Sequence, residues 1–340
     1  MNIIKKCLTD STYFLARHMS TKLKRKIMNS YHIPAYIAPE LFQKLRTSEF
    51  PTMVVIQTHA YCNASCIMCP YRDIIKDKNV PKGYMKPELF YKIIDECSKY
   101  NVKKISPYLM NGPLLDENMF NYIKYIRKKM PKAVININSN GFALTKEKAE
   151  KLAETGIHRV VFSVHGISEK KYKKITGLDL KTVLENIDYY LSLKKKNNTS
   201  VEITGITEWF TDEELKKWVD YWNKRNVKLI YRNLHSRAKN VKVPEVISKM
   251  QKFGKTKGTK DKIYGCTHRE GTNKMDIMFN GDVVLCCMDW YRSVVLGNVN
   301  NDSLYNIWNS EKFNKIRRMM VSKDDSSDNF ICKRCVKSIG

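Results

Sequence analysis

Two hydrophobic patterns alternate along the chain from residue 53 onwards. Short apolar runs, fit for buried strands, alternate with longer segments whose apolar residues recur every three or four positions, which is typical of amphipathic helices. The predicted strands are 53–59, 102–110, 133–138, 158–164, 200–206 and 227–233. The predicted helices are 86–100, 116–129, 145–154, 168–174, 181–194 and 212–224. Six such units predict an α/β fold with a parallel sheet, and since eight units close a barrel, we expect a partial (β/α)6 TIM-like barrel.

The alternation stops after residue 234, and it does not begin before residue 53. Beyond residue 263 the turn Asn280-Gly281-Asp282 lies between two apolar runs and predicts a hairpin, and two short helices are expected at 303–308 and 311–320. Near the start, Leu15, Met19, Leu23 and Ile27 lie at helical spacing among Lys and Arg. Such a basic amphipathic helix packs on its own domain or lies on a membrane surface. The predicted parts are an N-terminal helical extension (1–52), the barrel (53–234), a basic linker (235–263) and a small C-terminal α+β domain (264–340).

Composition adds a strong positive charge to this picture. The chain has 61 Lys and Arg against 34 Asp and Glu, a formal net charge of +27. The excess is a bias of the whole sequence or indicates an anionic partner; it is densest in 1–50 (nine basic, three acidic) and 232–274 (twelve basic, three acidic). The basic residues are not interleaved with aromatic ones, so nucleic acid is an unlikely partner.

Cellular location follows from what the sequence lacks and from its cysteines. No apolar run approaches the 18 residues of a transmembrane helix, and none near the start is long enough for a signal peptide. We therefore expect a cytoplasmic protein. There the ten cysteines are reduced, which favours metal binding or catalysis over disulfides.

Three cysteines lie on the loop after the first predicted strand. Cys62, Cys66 and Cys69 have the spacing C-x3-C-x2-C. Ligand sites of α/β folds lie at the carboxyl ends of the strands, so the three thiols are on the functional face. They can hold three corners of an iron–sulfur cluster and leave a fourth open; zinc is the alternative.

A second cysteine set lies in the C-terminal part. Cys266, Cys286, Cys332 and Cys335 can fully ligate one 4Fe–4S cluster, with a zinc ribbon as the alternative. Cys287 is a candidate to replace its neighbour Cys286. Cys97 fits the apolar side of a helix, and Cys7 lies outside both sets.

The two cysteine sets together resemble the radical SAM superfamily, with a C-terminal auxiliary-cluster domain like Twitch, the truncated relative of SPASM. The resemblance to the barrel covers about 53–233, and its most specific segment is Cys62-Asn-Ala-Ser-Cys66-Ile-Met-Cys69. It implies two 4Fe–4S clusters, one of which has an open iron that binds S-adenosylmethionine (SAM). It also implies that SAM is cleaved reductively to a 5′-deoxyadenosyl radical, which abstracts a hydrogen from the substrate. It also implies an electron donor such as flavodoxin or ferredoxin.

The resemblance assigns further residues to the SAM site. The stretch VEITGITE (201–208) resembles the family's G-x-I-x-G-x-x-E pattern, with Ile203 against adenine. Gly112 stands where the family has an acidic residue that holds the methionine amino group, so Asp116 or a backbone carbonyl is a candidate replacement. His165 is a tentative catalytic residue, as a proton acceptor or substrate contact, or else a structural group. The implied cofactor-binding residues are Met68, Asn111, Gly112, Ser139, Asn140, Ser163, Ile203 and Glu208.

The function implied is a dehydrogenase that oxidises a small polar substrate, such as a sugar or aminocyclitol, with the auxiliary cluster accepting an electron. The basic stretch 232–274 is interpreted as a contact for an anionic substrate or as a solvated linker. One alternative is a maturase that modifies a peptide or protein. The other, of a different class, is a zinc-stabilised nucleic-acid-binding protein, which the order of site residues on successive strand ends argues against.

Overall fold

The computed structural model describes residues 47–193, 198–241, 263, 265–268, 270–321 and 326–335. The predicted N-terminal helix, Cys7 and most of the predicted linker lie outside these residues.

All six predicted parallel strands are present, and three further strands extend the same sheet. The strands are β1 (Met53–Ile56), β2 (Lys104–Ser106), β3 (Val134–Ser139), β4 (Arg159–Ser163), β5 (Ser200–Ile206), β6 (Lys228–Arg232), β7 (Lys274–Ile277), β8 (Asp282–Val284) and β9 (Val295–Asn298). Their order is β6-β5-β4-β3-β2-β1-β7-β8-β9. The described sheet does not close into a barrel, so the predicted α/β fold with an open partial barrel is confirmed.

The C-terminal region is joined to the barrel through this sheet. β7 pairs in parallel with β1, from Met53 opposite Lys274 to Ile56 opposite Ile277. β8 then pairs antiparallel with β7, and β9 with β8, which confirms the predicted hairpin. Gly281 lies in its turn with φ 89°, a conformation that glycine adopts without strain. The two predicted domains therefore share one continuous sheet.

Helices cover the sheet, and their ends follow local capping. They are α1 (Tyr71–Ile74), α2 (Pro87–Ser98), α3 (Met119–Lys129), α4 (Lys146–Ala153), α5 (Glu169–Thr176), α6 (Leu180–Leu193), α7 (Asp212–Asn223), α8 (Leu304–Asn309) and α9 (Glu311–Met319). Thr145 caps α4, since its hydroxyl accepts a hydrogen bond from the Lys148 amide. Thr211 and Glu214 form a reciprocal capping box on α7.

Two predicted boundaries were wrong. The helix predicted from residue 116 begins at Met119, because Pro113–Leu115 forms a 3-10 turn and Asp116 uses its carboxylate to accept from the Asn118 amide at 2.9 Å. The strand predicted over 102–110 is only Lys104–Ser106, and the chain beyond it leaves the sheet. The short helix α1, directly after the cysteine loop, had no periodic signal in the sequence.

The two faces of the sheet differ in polarity. One face packs against the helices in the main core, where Phe162, Trp218 and Trp222 are fully buried. The opposite face carries buried polar side chains. Among them are Ser106 on β2, Asn136 on β3, Glu202 on β5 and Asp276 on β7. The Ser106 hydroxyl donates to the Asn136 amide oxygen at 2.7 Å, and Arg159 and Lys228 both pair with Glu202. We call this the polar face; the candidate site lies at its carboxyl-terminal end.

Candidate functional site

The backbone around the three-cysteine loop fixes it at the carboxyl end of β1. The Ser65 and Ile67 amides donate to the carbonyls of Thr176 and Ile175, both at 2.9 Å. Gly177, which ends α5 with φ 76°, lies so close to the Ser65 side chain that a Cβ there would overlap the Ser65 hydroxyl. The end of α5 therefore supports the loop directly, and only glycine suits position 177.

The three thiols of this loop face one another in a partly buried setting. Burial, together with the nearby Cys69 and Cys62, raises the pKa of Cys66 to about 12. Burial also raises the pKa of Cys62 and of Cys69. Three neighbouring thiolates are costly unless a cation neutralises them, so the donor set fits a metal group.

Gly112 packs against Cys62, and a buried histidine holds it there. The His59 ring nitrogens contact the Gly112 carbonyl oxygen (Nε2, 3.1 Å) and the Tyr61 amide (Nδ1, 3.2 Å). Burial lowers the pKa of His59, which favours the neutral ring with Nε2 donating. A Cβ at position 112 would lie 3.6 Å from the Cys62 sulfur. His59 was not singled out from the sequence, where it reads as the end of an apolar run.

The residues expected to replace an acid at position 112 are engaged elsewhere. Asp116 is buried and accepts from the Asn118 amide, and the Gly112 carbonyl is contacted by His59. Asn111 instead offers a free donor. Its Oδ1 accepts from the Leu109 amide at 3.0 Å, while its buried Nδ2 has no hydrogen-bond partner among the described residues. This orphan donor fits a polar cofactor group better than it fits a finished protein core.

The segment after β3 reaches the cysteine loop through a side-chain contact. Asn140 Nδ2 donates to Asn63 Oδ1 at 2.8 Å, and Asn140 Oδ1 accepts from the Phe142 amide. Ser139 is buried and accepts from the Gly141 amide at 3.1 Å. The structure thus brings Asn140 to the loop and uses Ser139 to shape the turn.

A small apolar group lies beside Cys66. It consists of Met68, Ile175, Ile206 and Leu234, and we call it the apolar wall. Ile206 is the last residue of β5 and Leu234 lies just beyond β6, where the polar face ends. The place of Ile206 could have been predicted from the alternation of side chains along β5. Ile206 is four residues from Glu202, so both side chains point to the polar face.

Ile203, the residue predicted to contact adenine, lies elsewhere. It is fully buried in the main core, the cluster that also holds Phe162 and Trp218. Successive side chains of a strand point to opposite faces, so Ile203 and Ile206 cannot share a side of the sheet. The adenine contact of Ile203 stays a prediction, and Ile206 is the residue of β5 that lies in the apolar wall. Glu208 supports the wall, because its Oε1 accepts from the Leu234 amide at 3.0 Å.

His165 and Ser163 lie at the end of β4 on the polar face. Both are half-buried. The His165 Nδ1 is buried and without a hydrogen-bond partner among the described residues. Burial, with a smaller effect of the Arg237 charge, lowers the pKa of His165 to about 4. The ring is therefore neutral near pH 7 and can accept a proton or a hydrogen bond.

The second cysteine set lines one cavity. Cys332 and Cys335 lie on and directly after the 3-10 turn Ile331–Arg334, Cys286 follows β8, and Cys266 precedes β7. The cavity encloses about 370 Å³ of space not filled by protein atoms, including solvent at its mouth. Burial is the largest cause that raises the pKa of Cys266, to about 11, and of Cys286 and Cys332. These four thiols are brought together as predicted.

Cys287 also borders the cavity but has different neighbours. Both cysteines interact with Glu270, but Cys287 also interacts with Lys274, Asp276 and Arg237, whereas Cys286 also interacts with Cys332. The arrangement favours Cys286 as the member of the four-thiol set. Cys287 instead faces the ionic group in which Lys274 Nζ contacts Glu270 at 2.9 Å and Asp276 at 3.0 Å.

The donor chemistry of both sets suits iron–sulfur clusters. Each set consists of thiols, the ligands that such clusters use. Three thiols on one loop leave one cluster position open, and four thiols around one cavity can complete a second cluster. Among the described residues, no group of three or more His, Cys, Asp or Glu side chains is placed to hold one metal ion.

The remaining site residues connect the two sets. Tyr108 lies on the polar face near Asn136, Lys274 and Cys287, and burial raises its pKa to about 12. Arg237 interacts with Cys69, His165 and Cys287. The sequence pointed to Arg237 only as part of a basic stretch, and Tyr108 was hidden in a run taken as strand. No helix among the described residues is long and apolar enough to cross a membrane.

Comparison with known proteins agrees with this geometry. Residues 56–221 match the radical SAM superfamily, and residues 266–336 match SPASM, an iron–sulfur cluster-binding domain. The chain is 22% identical over 291 residues to the S-adenosyl-L-methionine-dependent 2-deoxy-scyllo-inosamine dehydrogenase of Niallia circulans, covering 84% of this chain and 92% of that protein. It is 30% identical over 160 residues to the GTP 3′,8-cyclase of Clostridium perfringens, covering 45% of this chain and 46% of the cyclase.

Solved structures show the same fold. BtrN in complex with AdoMet and 2-DOIA has a TM-score of 0.52 at 18% identity, with 85% of this chain and 97% of that one covered. Streptococcus suis SuiB bound to S-adenosylmethionine has a TM-score of 0.64 at 16% identity, with 88% and 74% covered. With both family matches and the two cysteine sets in place, the chain belongs to the radical SAM superfamily and carries a SPASM-type domain for an auxiliary iron–sulfur cluster.

Proposed function

We propose that this radical SAM enzyme is a dehydrogenase that oxidises a secondary alcohol on a small polar molecule, such as a sugar or an aminocyclitol. The observation that carries the proposal is the placement of Tyr108 and Arg237. Both lie near Cys287, beside the second set, and Arg237 also interacts with His165 and with Cys69 of the first set. A substrate there would lie within reach of both sets. The likeness to an aminocyclitol dehydrogenase over 92% of that protein supports the same reaction class.

In this proposal Cys62, Cys66 and Cys69 ligate the first cluster, and Cys266, Cys286, Cys332 and Cys335 ligate the second. Residues 53–234 hold SAM and residues 264–340 the auxiliary cluster, with β7 joining them in one sheet. When bound, the first cluster and SAM supply the radical that takes a hydrogen atom, and the auxiliary cluster takes an electron.

The chain's own residues bind and orient the cofactor. Asn111 Nδ2 is free to donate to a polar group of SAM, and Gly112 leaves room beside Cys62. The apolar wall offers Met68 and Ile206 to a base, since a thioether packs well on an aromatic ring. Asn140 fixes the loop from the third strand, Ser139 shapes its turn, and Glu208 holds Leu234 in place.

Oxidation of an alcohol to a ketone removes a hydrogen atom, a proton and an electron. The proton needs an acceptor on the chain, and His165 is neutral near pH 7 with an unpartnered Nδ1. Ser163, at the end of the same strand, is placed to contact substrate or cofactor. His165 is therefore the proposed proton acceptor.

The proposed setting is the reducing cytoplasm, with a low-potential one-electron donor such as flavodoxin or ferredoxin. The nine cysteines among the described residues all carry free thiols. Two thiolate-ligated clusters need such an environment to assemble and persist.

The test is anaerobic reconstitution followed by iron counting and a SAM cleavage assay with dithionite. We expect roughly eight irons per chain and release of 5′-deoxyadenosine. Cys62→Ala should abolish release, while Cys97→Ala, a buried thiol in α2 away from both sets, should not. Deuterium transfer from labelled sugars or aminocyclitols into 5′-deoxyadenosine would then identify the substrate. Bound zinc and no SAM cleavage would overturn the proposal.

A further inference from the structure

The turn that follows β6 connects the two cysteine sets physically. Leu234 belongs to the apolar wall beside Cys66. Four residues later, Ala238 is fully buried in the core that contains Cys286 and Cys332. Asn240 Nδ2 then donates to the Met288 carbonyl at 2.8 Å. Residues 234–240, which we call the bridging turn, thus span from one candidate cluster site to the other.

The backbone of the bridging turn has an uncommon conformation. Arg237, Ala238 and Lys239 have φ values of 50°, 57° and 65°. Residues with side chains rarely adopt this left-handed region, and three in succession are rarer still. Ser236 holds the turn, since its hydroxyl accepts from the Lys239 amide at 3.1 Å and its carbonyl from the Val241 amide at 3.0 Å. Such backbone strain is concentrated at functional sites.

The strained turn places one cation between the two sets. Burial is the main cause of the pKa shifts of Cys69, His165 and Cys287, and the Arg237 charge lowers all three pKa values, so Arg237 is within electrostatic range of each. Arg237 is half-buried, and among the described residues its side chain has no acidic partner and no hydrogen bond. By contrast, Arg225 contacts Asp188 through two nitrogens at 2.6 and 2.8 Å. A charge that is partly removed from water is normally paired.

We infer that Arg237 binds an anionic group, a phosphate or a carboxylate, on the substrate that lies between the two cysteine sets. The inference rests on the proposed function and narrows its substrate class from polar to anionic. The planar guanidinium suits these groups because it can donate two parallel hydrogen bonds to neighbouring oxygens.

The experiment uses the reduced, reconstituted full-length enzyme, whose clusters are paramagnetic. Inorganic phosphate and carboxyl-labelled acetate are added separately, and the NMR relaxation of phosphorus or of the labelled carbon is measured. An anion on Arg237 lies near both clusters, so its relaxation should be enhanced and the effect should saturate. Arg237→Gln should weaken binding of the better anion roughly 10- to 100-fold, and Arg237→Lys should weaken it less.

The matched control is Arg318→Gln, an exposed arginine of α9 that pairs with Glu311, which should leave the relaxation unchanged. No enhancement by either anion in the wild type, or equal enhancement in Arg237→Gln, would overturn the inference. A parallel loss of SAM affinity in Arg237→Gln would assign Arg237 to the cofactor and also overturn it. SAM cleavage measured without substrate separates the proposed function from the role of Arg237. If the wild type does not cleave SAM, the proposed function is refuted. If cleavage is normal but neither anion has an effect, only the role of Arg237 is refuted.

Discussion

The two cysteine sets are built in opposite ways. Cys62, Cys66 and Cys69 lie within eight residues on one loop, are half-buried, and face the open end of the polar face. The auxiliary set comes from three separate segments, and Cys286, Cys332 and Cys335 are buried in an apolar core. A site that exchanges a ligand needs access, whereas a site that only carries electrons benefits from enclosure. The contrast in exposure therefore matches the contrast in proposed role.

Removing one thiol ligand from either cysteine set should have the largest effects on activity. Cys66→Ala should abolish SAM cleavage, because it removes a ligand of the proposed SAM-binding cluster. Cys332→Ala should keep cleavage but stop formation of the ketone, and the iron content should fall from roughly eight to roughly four per chain. Iron analysis and a 5′-deoxyadenosine assay check both. Loss of cleavage in both variants would show that the two sets do not work separately.

Gly177→Ala sharpens the comparison by disturbing the loop without touching a thiol. The new Cβ would overlap the Ser65 hydroxyl, and the residue would keep φ 76°. We expect roughly tenfold slower SAM cleavage and a loss of about 1–2 kcal/mol in the free energy of unfolding. Gly156→Ala is the control, since it has φ 68° but its nearest atom, Arg127 Nε, is 3.4 Å away. Gly156→Ala should lose stability but keep the wild-type rate of SAM cleavage. Equal cleavage rates in the two variants would contradict the supporting role of α5.

Ile206→Ala and Ile203→Ala compare the two sides of β5. Ile206 lies in the apolar wall, so its truncation should weaken SAM binding roughly tenfold. Ile203 lies in the main core, so its truncation should cost about 2–5 kcal/mol of stability and leave SAM affinity unchanged. Equilibrium SAM binding and thermal unfolding measure the two effects. Weaker SAM binding in Ile203→Ala alone would restore the original assignment to Ile203.

The smallest effect expected is in the pH dependence of stability. The pKa of His165 is about 4 in the folded chain, below its ordinary value of 6.5. The unfolded chain therefore binds the proton first, and stability is lost as the pH falls from 6.5 towards 4. Between pH 7 and pH 5.5 the wild type should lose roughly 2–4 °C more in melting temperature than His165→Gln. Identical pH profiles would show that the ring is not shielded.

Features set by neighbouring residues could be predicted from the sequence, whereas features that depend on contacts between distant segments could not. The C-x3-C-x2-C loop and the six strands could be recognised because spacing and periodicity are local signals. The pairing of β7 with β1, the bridging turn, and the facing of Tyr108 towards Cys287 all depend on contacts between distant segments. The side of the sheet on which Ile203 lies could not be predicted for a related reason: the motif gave its position along β5, but the side depends on register.

The central claim is that one of two clusters has an open position that SAM occupies. Electron paramagnetic resonance of the dithionite-reduced enzyme, with and without SAM, tests it most directly. The account predicts two cluster signals, of which SAM changes only one, with that change kept in Cys332→Ala and lost in Cys66→Ala. Signals that SAM leaves unchanged in the wild type, or a change that survives in Cys66→Ala, would contradict it.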